Sequence, residues 1–575
     1  MNARRRRVEQ ITPTTPSMKN CKSHNYLQPL QRTTFFLLLL FCLPVVSLAI
    51  RKERVVDTWR PNHYLVNITL NEQLSEIVAA QVQIDIVALK QLSVVDLDFA
   101  ELTTDSVRVN NNPTSFDHRN GLLAVQLPQP VKAGTSLSVT VAYHGKPKEG
   151  LILTADKDGK PSAVGDNWPN HVHYWIPSLD HPSAKATVTF NVTAPAREVV
   201  VANGKFDRVE TNQAETRTWT YSEGIPIPPY CMIIGVGEFA QLNANTQALT
   251  PLSYYVPPSD SEYAQKGFSS AAQTVQLFND MVGPYPYEKL SLIIGTTQYG
   301  GMENSSAIVF TSRLFNLRRS SSGASKTFGI PYQLEDVVAH EIAHQWFGDS
   351  VTESTWADLW LSEGFATYFA GLFRQRYEGE ESFQSYMKQA AMTALAYEKR
   401  FRTPIFDTET EDLMKLLNAN NYQKGAWVLH MLRSQLGDEA FFKGIRAYYE
   451  AHKSANATTE DLRRALEKSS GKDLKEFFQR WVYDSGHPQY ELSVVWTEKN
   501  GTTNFVLKQE QPGKPFLDPV PITFVTKNGN EELSITPSGT VTTKVVKLDS
   551  QPTSIQIDPH NTLLKEAKVS AFSSN

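Results

Sequence analysis

His340-Glu341-Ile342-Ala343-His344 is the stretch on which the reading of this chain turns. The two histidines stand four positions apart, so on a helix both imidazoles share one face, a turn apart. Two neutral imidazoles so placed can bind one zinc ion at about 2.0–2.1 Å each. Glu341 lies further round the helix, within reach of a water beside the metal without itself being a ligand. Pro331 suits the helix start, and Val337, Val338, Ile342 and Phe347 give it an apolar side. A catalytic zinc needs a third protein ligand and one open position. Eighteen residues lie between His344 and Glu363, which sits in Trp360-Leu361-Ser362-Glu363-Gly364-Phe365-Ala366. That segment opens a second amphipathic helix, and its carboxylate can meet the histidines if the two helices pack side by side.

The regions on either side differ in texture. From about Arg51 to Leu249 apolar residues alternate with polar ones, as in Leu137, Val139, Val141 and Tyr143, and again in Ala186, Val188, Phe190 and Val192. A period of two marks half-buried strands. Turn signals at Asn110-Asn111-Asn112-Pro113 and Ala202-Asn203-Gly204 separate the runs, predicting an antiparallel β domain. Pro251 to Pro258 reads as a linker. Helical patterns follow at 261–281, 331–348, 361–376, 382–399, 421–436, 438–452 and 459–480, with one strand-like run at Leu290–Ile294 and a polar loop at Ser320–Ser325. Alternation returns at Tyr490, Leu492, Val494 and Trp496. Asn500-Gly501 then marks a hairpin. The expected fold is multidomain α+β: a leader over 1–49, an amino-terminal antiparallel β domain over 50–250, a catalytic domain over 251–488, and a small β-sandwich-like module over 489–575.

Composition narrows the function. The chain has 575 residues, too many for one core. Hydrophobic content of 41%, charged content of 20% and a net charge of -4 are those of a globular protein without the basic face a nucleic-acid partner requires. Phe35–Val46 is the only long apolar run. It holds Pro44 and is too short for a bilayer of roughly 30 Å. Lys19, Lys22 and Arg32 precede it and Ser47-Leu48-Ala49 follows, the pattern of a secretory signal cleaved after Ala49. Met18-Lys19-Asn20 would open a conventional n-region. The chain is expected to be exported, becoming secreted, periplasmic or otherwise extracytoplasmic, and membrane-bound only if the leader stays uncleaved. Cleavage leaves Cys231 alone, so no internal disulfide is expected. No feature of the sequence specifies an oligomeric state.

The combination of HEIAH and LSEGFA at this spacing resembles the aminopeptidase N and leukotriene hydrolase family of gluzincin zinc peptidases. Gly300-Gly301-Met302-Glu303-Asn304 resembles that family's glycine-x-methionine-glutamate-asparagine signature, and Asn421-Tyr422-Gln423-Lys424-Gly425 its Tyr-x-Lys-Gly motif. Trp175–Lys185 and Phe477–Pro488 resemble the segments that close its amino-terminal and catalytic domains. The resemblance implies a thermolysin-like catalytic domain and one zinc per chain on His340, His344 and Glu363. It implies Glu341 as general base and Tyr422 as hydrogen-bond donor to the oxyanion. Peptides with a free amino terminus would be the substrates, bound along Gly300 to Asn304, with Glu303 facing the ammonium.

Two positions depart from the pattern. Counting back from Asp180, the places where many relatives carry a Gln and an acidic residue near the amine fall on Asp166 and Trp168. Trp168 brings no charge, and Asp166 would restore one carboxylate. Ser362 replaces the usual Asn before the zinc glutamate. The chain is expected to lack the long helical domain of larger relatives, which predicts a more open cleft that admits longer peptides. Competing readings are a zinc endopeptidase, which Glu303 opposes; an epoxide hydrolase, which the missing helical domain opposes; and an inactive peptide-binding protein, which the intact Glu341, Tyr422 and ligand set oppose.

Overall fold

The structure is a computed structural model that describes residues 51–212, 215–244, 250–315, 325–327, 330–497 and 501–574. The proposed leader, residues 320–324 of the polar loop and Asn500 of the hairpin lie outside the described residues. Among the described residues no helix is long and apolar enough to cross a membrane.

The alternating runs fold as strands. Leu137, Val139, Val141 and Tyr143 all face the core, as do Ala186, Val188, Phe190 and Val192. They belong to an eight-stranded sheet in which Trp59–Leu70 lies between Ile77–Ala88 and Ala186–Pro195. The expectation of a purely antiparallel domain needs one correction. Trp59–Leu70 and Ala186–Pro195 run parallel, with Tyr64 opposite Val188. More than a hundred residues separate them, so no hairpin imposes an antiparallel pairing. Two smaller sheets complete this β-rich region. One pairs Pro161–Asp166 with Gly150–Ala155 and Ile234–Gly237, and the other is built on Leu92–Asp98 and Leu122–Val131.

Pro251 to Pro258, read as a linker, contains instead the strand Leu252–Val256, with Tyr254 and Val256 buried. It pairs with Ala240–Asn243 across the boundary drawn at 250, and in parallel with Leu290–Gly295. The two prolines flank the strand, where their missing N–H groups cost no ladder bond. This five-stranded sheet continues through Ala307–Thr311 and ends on the short edge strand Gly301–Met302. The sheet therefore delivers the glycine-rich segment to its own rim.

Helices fill the rest of the middle region with several shifts from expectation, and the 261–281 pattern breaks into Ser261–Gly267 and Ala271–Met281. The 331–348 pattern yields a helix only over Leu334–His344. Pro331 lies in the short strand Ile330–Tyr332, and the helix begins at a capping box in which Gln333 and Asp336 each bond the other's backbone. The 459–480 pattern breaks into Thr459–Ser470 and Lys475–Phe478, because Gly471 takes a left-handed turn at φ 70° that ends the first helix. Beyond it a four-stranded and a three-stranded sheet form the expected sandwich-like module. Tyr490, Leu492, Val494 and Trp496 point into its core.

Candidate active site

The helix Leu334–His344 carries the two histidines, and Trp360–Tyr377 packs beside it carrying Glu363. The Nε2 atoms of His340 and His344 stand 3.1 Å apart. Glu363 Oε2 lies 3.3 Å from the first and 3.4 Å from the second. Three donors at about 2.0–2.1 Å from a tetrahedral ion stand about 3.3 Å from one another, so this triangle fits zinc. Glu363 Oε2 is buried and has no hydrogen-bond partner among the described residues, which also suits a ligand atom. His344 Nδ1 lies 2.9 Å from Ser362 Oγ and 3.2 Å from the Phe347 carbonyl. A proton on Nδ1 satisfies either acceptor and leaves the Nε2 lone pair free for metal. Ser362, which stands where the family usually has Asn, thus touches the histidine directly.

Glu341, Glu303 and His344 form a second buried cluster, their donor atoms within 4.8 Å of one another. Burial, with the charges of Glu363 and Asp166, pushes the Glu303 carboxyl up to about 7, although His344 pulls the other way. Burial would lower His344, but Glu303, Glu363 and Glu341 outweigh it and push the imidazole up to about 10. A pocket that favours an imidazolium this strongly favours a dication for the same reason. Gly301 lies against Glu341, and a Cβ at Gly301 would overlap that carboxyl. The absence of a side chain at Gly301 therefore makes room for Glu341.

Tyr422 sits in a π-helical turn, Asn420–Lys424, that leads into the helix Gly425–Leu436. That helix meets the glutamate helix where Gly364 faces Gly425, and a Cβ on either would press into the other's backbone. The approach brings the Tyr422 hydroxyl to 2.8 Å from Glu363 Oε1, to which it donates. Lys424, fully buried, secures the turn. Its Nζ lies 2.5 Å from Glu398 Oε1, while Glu398 Oε2 lies 2.6 Å from His487 Nδ1. Burial would raise Glu398, but Lys424 and His487 hold it down to about 2.

Because that value lies below the ordinary 4.5, the pair's stabilisation is complete above about pH 4.5 and is lost as pH falls towards 2. The difference corresponds to about 3 kcal/mol. Glu398→Gln should lower stability at pH 7 by that order and leave a flatter acid limb. Denaturant melts at pH 7 and pH 3 check this; an unchanged midpoint at pH 7 would contradict it.

His340, Glu341, His344, Glu363, Glu303 and Tyr422 line one cavity of 660 Å³, walled also by Trp168 and Tyr299. Gly300, Gly301, Met302 and Glu303 lie along it, while Asn304 is buried just behind. Asp166 is not among the lining residues. It is buried at the end of its strand, with Oδ2 accepting from the Gln298 amide at 2.9 Å. Trp168, itself buried, forms the cavity wall there, its ring 5.7 Å from Trp356 and 6.3 Å from Tyr299. Sequence reasoning did not single out Tyr299, Glu398 or His487 for the site, because no local motif joins them to it.

Comparison with known proteins agrees with the geometry. The family pattern described as Peptidase family M1 domain matches residues 267–481, and that described as Peptidase M1 N-terminal domain matches residues 60–231. The chain belongs to the M1 peptidase family. A relative named probable aminopeptidase 2, from Sulfurisphaera tokodaii, is 31% identical over 67% of this chain and 49% of its own length. Aminopeptidase N of Streptomyces lividans is 30% identical over 59% of this chain and 40% of its own. The chain thus spans about half the length of the curated relatives it matches. The crystal structure of an M1 zinc metallopeptidase from Deinococcus radiodurans shares the fold, at 24% identity and a TM-score of 0.60, over 74% of this chain and 93% of that one.

Proposed function

We propose that the chain is a zinc-dependent aminopeptidase that removes amino-terminal residues from peptides. The observation that carries the reading is the meeting, in one cavity, of the His340, His344 and Glu363 triangle with Glu341, Tyr422 and Glu303. Zinc, when bound, supplies Lewis acidity, lowering the pKa of a coordinated water towards about 7 and polarising the scissile carbonyl. Glu341 takes a proton as water attacks and passes it to the leaving amine. Burial pushes its carboxyl up, as do Glu303, Glu363 and Asp349, while His344 pulls the other way, the direction in which a dication on the triangle also acts. Tyr422 donates its hydroxyl proton to the developing oxyanion. Burial and the neighbouring Glu363 keep that hydroxyl protonated. Glu303 binds the substrate ammonium, and Gly301–Met302, entered through Gly300, offers an edge strand to an extended peptide. Asn304 supports that segment from behind. Asp166 adds negative charge to the ammonium site from behind the wall without touching substrate.

A panel of aminoacyl fluorogenic substrates, run with chelator and then with zinc restored, tests the reading. Free-amine substrates should be cleaved, chelation should abolish cleavage and zinc should restore it. Glu303→Ala should raise KM by about tenfold to a hundredfold for these substrates. Comparable rates on amino-blocked peptides would instead favour an endopeptidase. We also propose that the enzyme acts outside the cytoplasm after cleavage near Ala49, on the strength of the apolar run 35–46. Amino-terminal sequencing of exported protein tests this, and an intact leader would refute it. The domain limits at 49/50 and 488/489 are proposed with it, and the first internal boundary is proposed ahead of Ala240, whose strand joins the sheet of the following domain.

A further inference from the structure

We infer that Gln345 is a positioning residue for amine recognition, holding the turn that carries Glu303 against the metal-binding helix. The inference rests on the reading of Glu303 as the ammonium site. Gln345 follows His344 in the chain and is wholly buried. Its Nε2 donates to the Glu303 carbonyl at 2.7 Å and to Asp349 Oδ2 at 2.8 Å. Its Oε1 accepts from the Ser306 amide at 2.8 Å and from the Tyr285 hydroxyl at 2.9 Å. Two donors and two acceptor sites are all that a side-chain amide offers, and here all four are used. One side chain therefore grips both ends of the turn 303–306.

The turn is gripped from the other side as well. Asn203, in the Ala202-Asn203-Gly204 turn of the β-rich region, donates from Nδ2 to the Ser305 carbonyl at 2.6 Å. The Gly204 amide donates to Ser306 Oγ at 2.7 Å, and Lys289 Nζ to the Ser306 carbonyl at 2.7 Å. Ser306 is held at φ 62°, a conformation that a non-glycine residue keeps only where its surroundings dictate it. The Glu303 carboxylate is thus aimed by a turn clamped between the metal helix and the β-rich region. Its distance from the His340, His344 and Glu363 triangle, the measure an amino-terminal cut requires, follows from this clamp. Gln345 touches the Glu303 backbone and not the substrate, so its effect passes through Glu303.

Gln345→Glu keeps the shape and puts an oxygen where the donor faced the Glu303 carbonyl and Asp349. Displacements of about 1 Å can cost about a hundredfold. In zinc-loaded Gln345→Glu, KM for free-amine aminoacyl substrates should rise about tenfold to a hundredfold, with kcat within about threefold. Asn203→Ala, which loosens the other jaw without touching the metal helix, should shift KM in the same direction. Each variant is normalised to zinc content and run beside Glu303→Ala. A merely structural role would lower the melting temperature and leave KM unchanged. If Glu303→Ala raises KM and neither clamp variant does, the clamp is refuted. If Glu303→Ala leaves KM alone, the ammonium reading falls first and takes this inference with it.

Discussion

Glu341→Gln is expected to leave zinc bound at one per chain and to lower kcat by about 10⁴, the upper range for loss of a general base. The substitution changes little in shape. Glu341 lies off the face that carries His340 and His344, and the triangle of Nε2 and Oε2 atoms does not include it. Metal affinity should therefore stay near wild type while the proton acceptor is lost. The Gly301 backbone leaves the Gln side chain the same space as the Glu, so the variant should not be forced out of place. Metal analysis and steady-state rates on one aminoacyl substrate suffice as the measurement. Turnover within about threefold of wild type would remove Glu341 from its assigned role.

Much of this site could be read from the chain because its parts are local. The spacing of His340 and His344 requires only a helix, and the helix is there. The alternation at Leu137–Tyr143 requires only a half-buried strand, and its residues are buried as expected. What the sequence could not yield depends on partners far along the chain. The parallel pairing of Tyr64 with Val188 has no turn to announce it. Leu252–Val256 looked like a linker because its flanking prolines are loud and its pairing partners distant. Asp166 and Trp168 were separable by counting, but only the packing of Trp168 against Trp356 and Tyr299 shows which of them faces the cavity. Lys424 read as part of a motif, yet its work depends on Glu398 and His487, 26 and 63 residues away along the chain.

Tyr422→Phe is expected to lower kcat by about 10²–10³ with KM nearly unchanged, the cost of one oxyanion donor. The prediction separates two jobs that the same hydroxyl could do. In the structure it donates to Glu363 Oε1, and so could serve only to orient a metal ligand. Were that its whole contribution, Phe would loosen zinc, and saturating the buffer with zinc would restore the rate. As an oxyanion donor, the hydroxyl must leave Glu363 for the substrate as negative charge develops, and added zinc cannot replace it. The surroundings favour this exchange. The π turn holds the ring nearly parallel to His340, with centroids 5.9 Å apart, so the hydroxyl stays beside the ligand triangle whichever oxygen it serves. The deciding measurement is kcat against free zinc for both proteins. A deficit that persists at saturating zinc supports the donor, and one that vanishes there assigns Tyr422 to the metal alone.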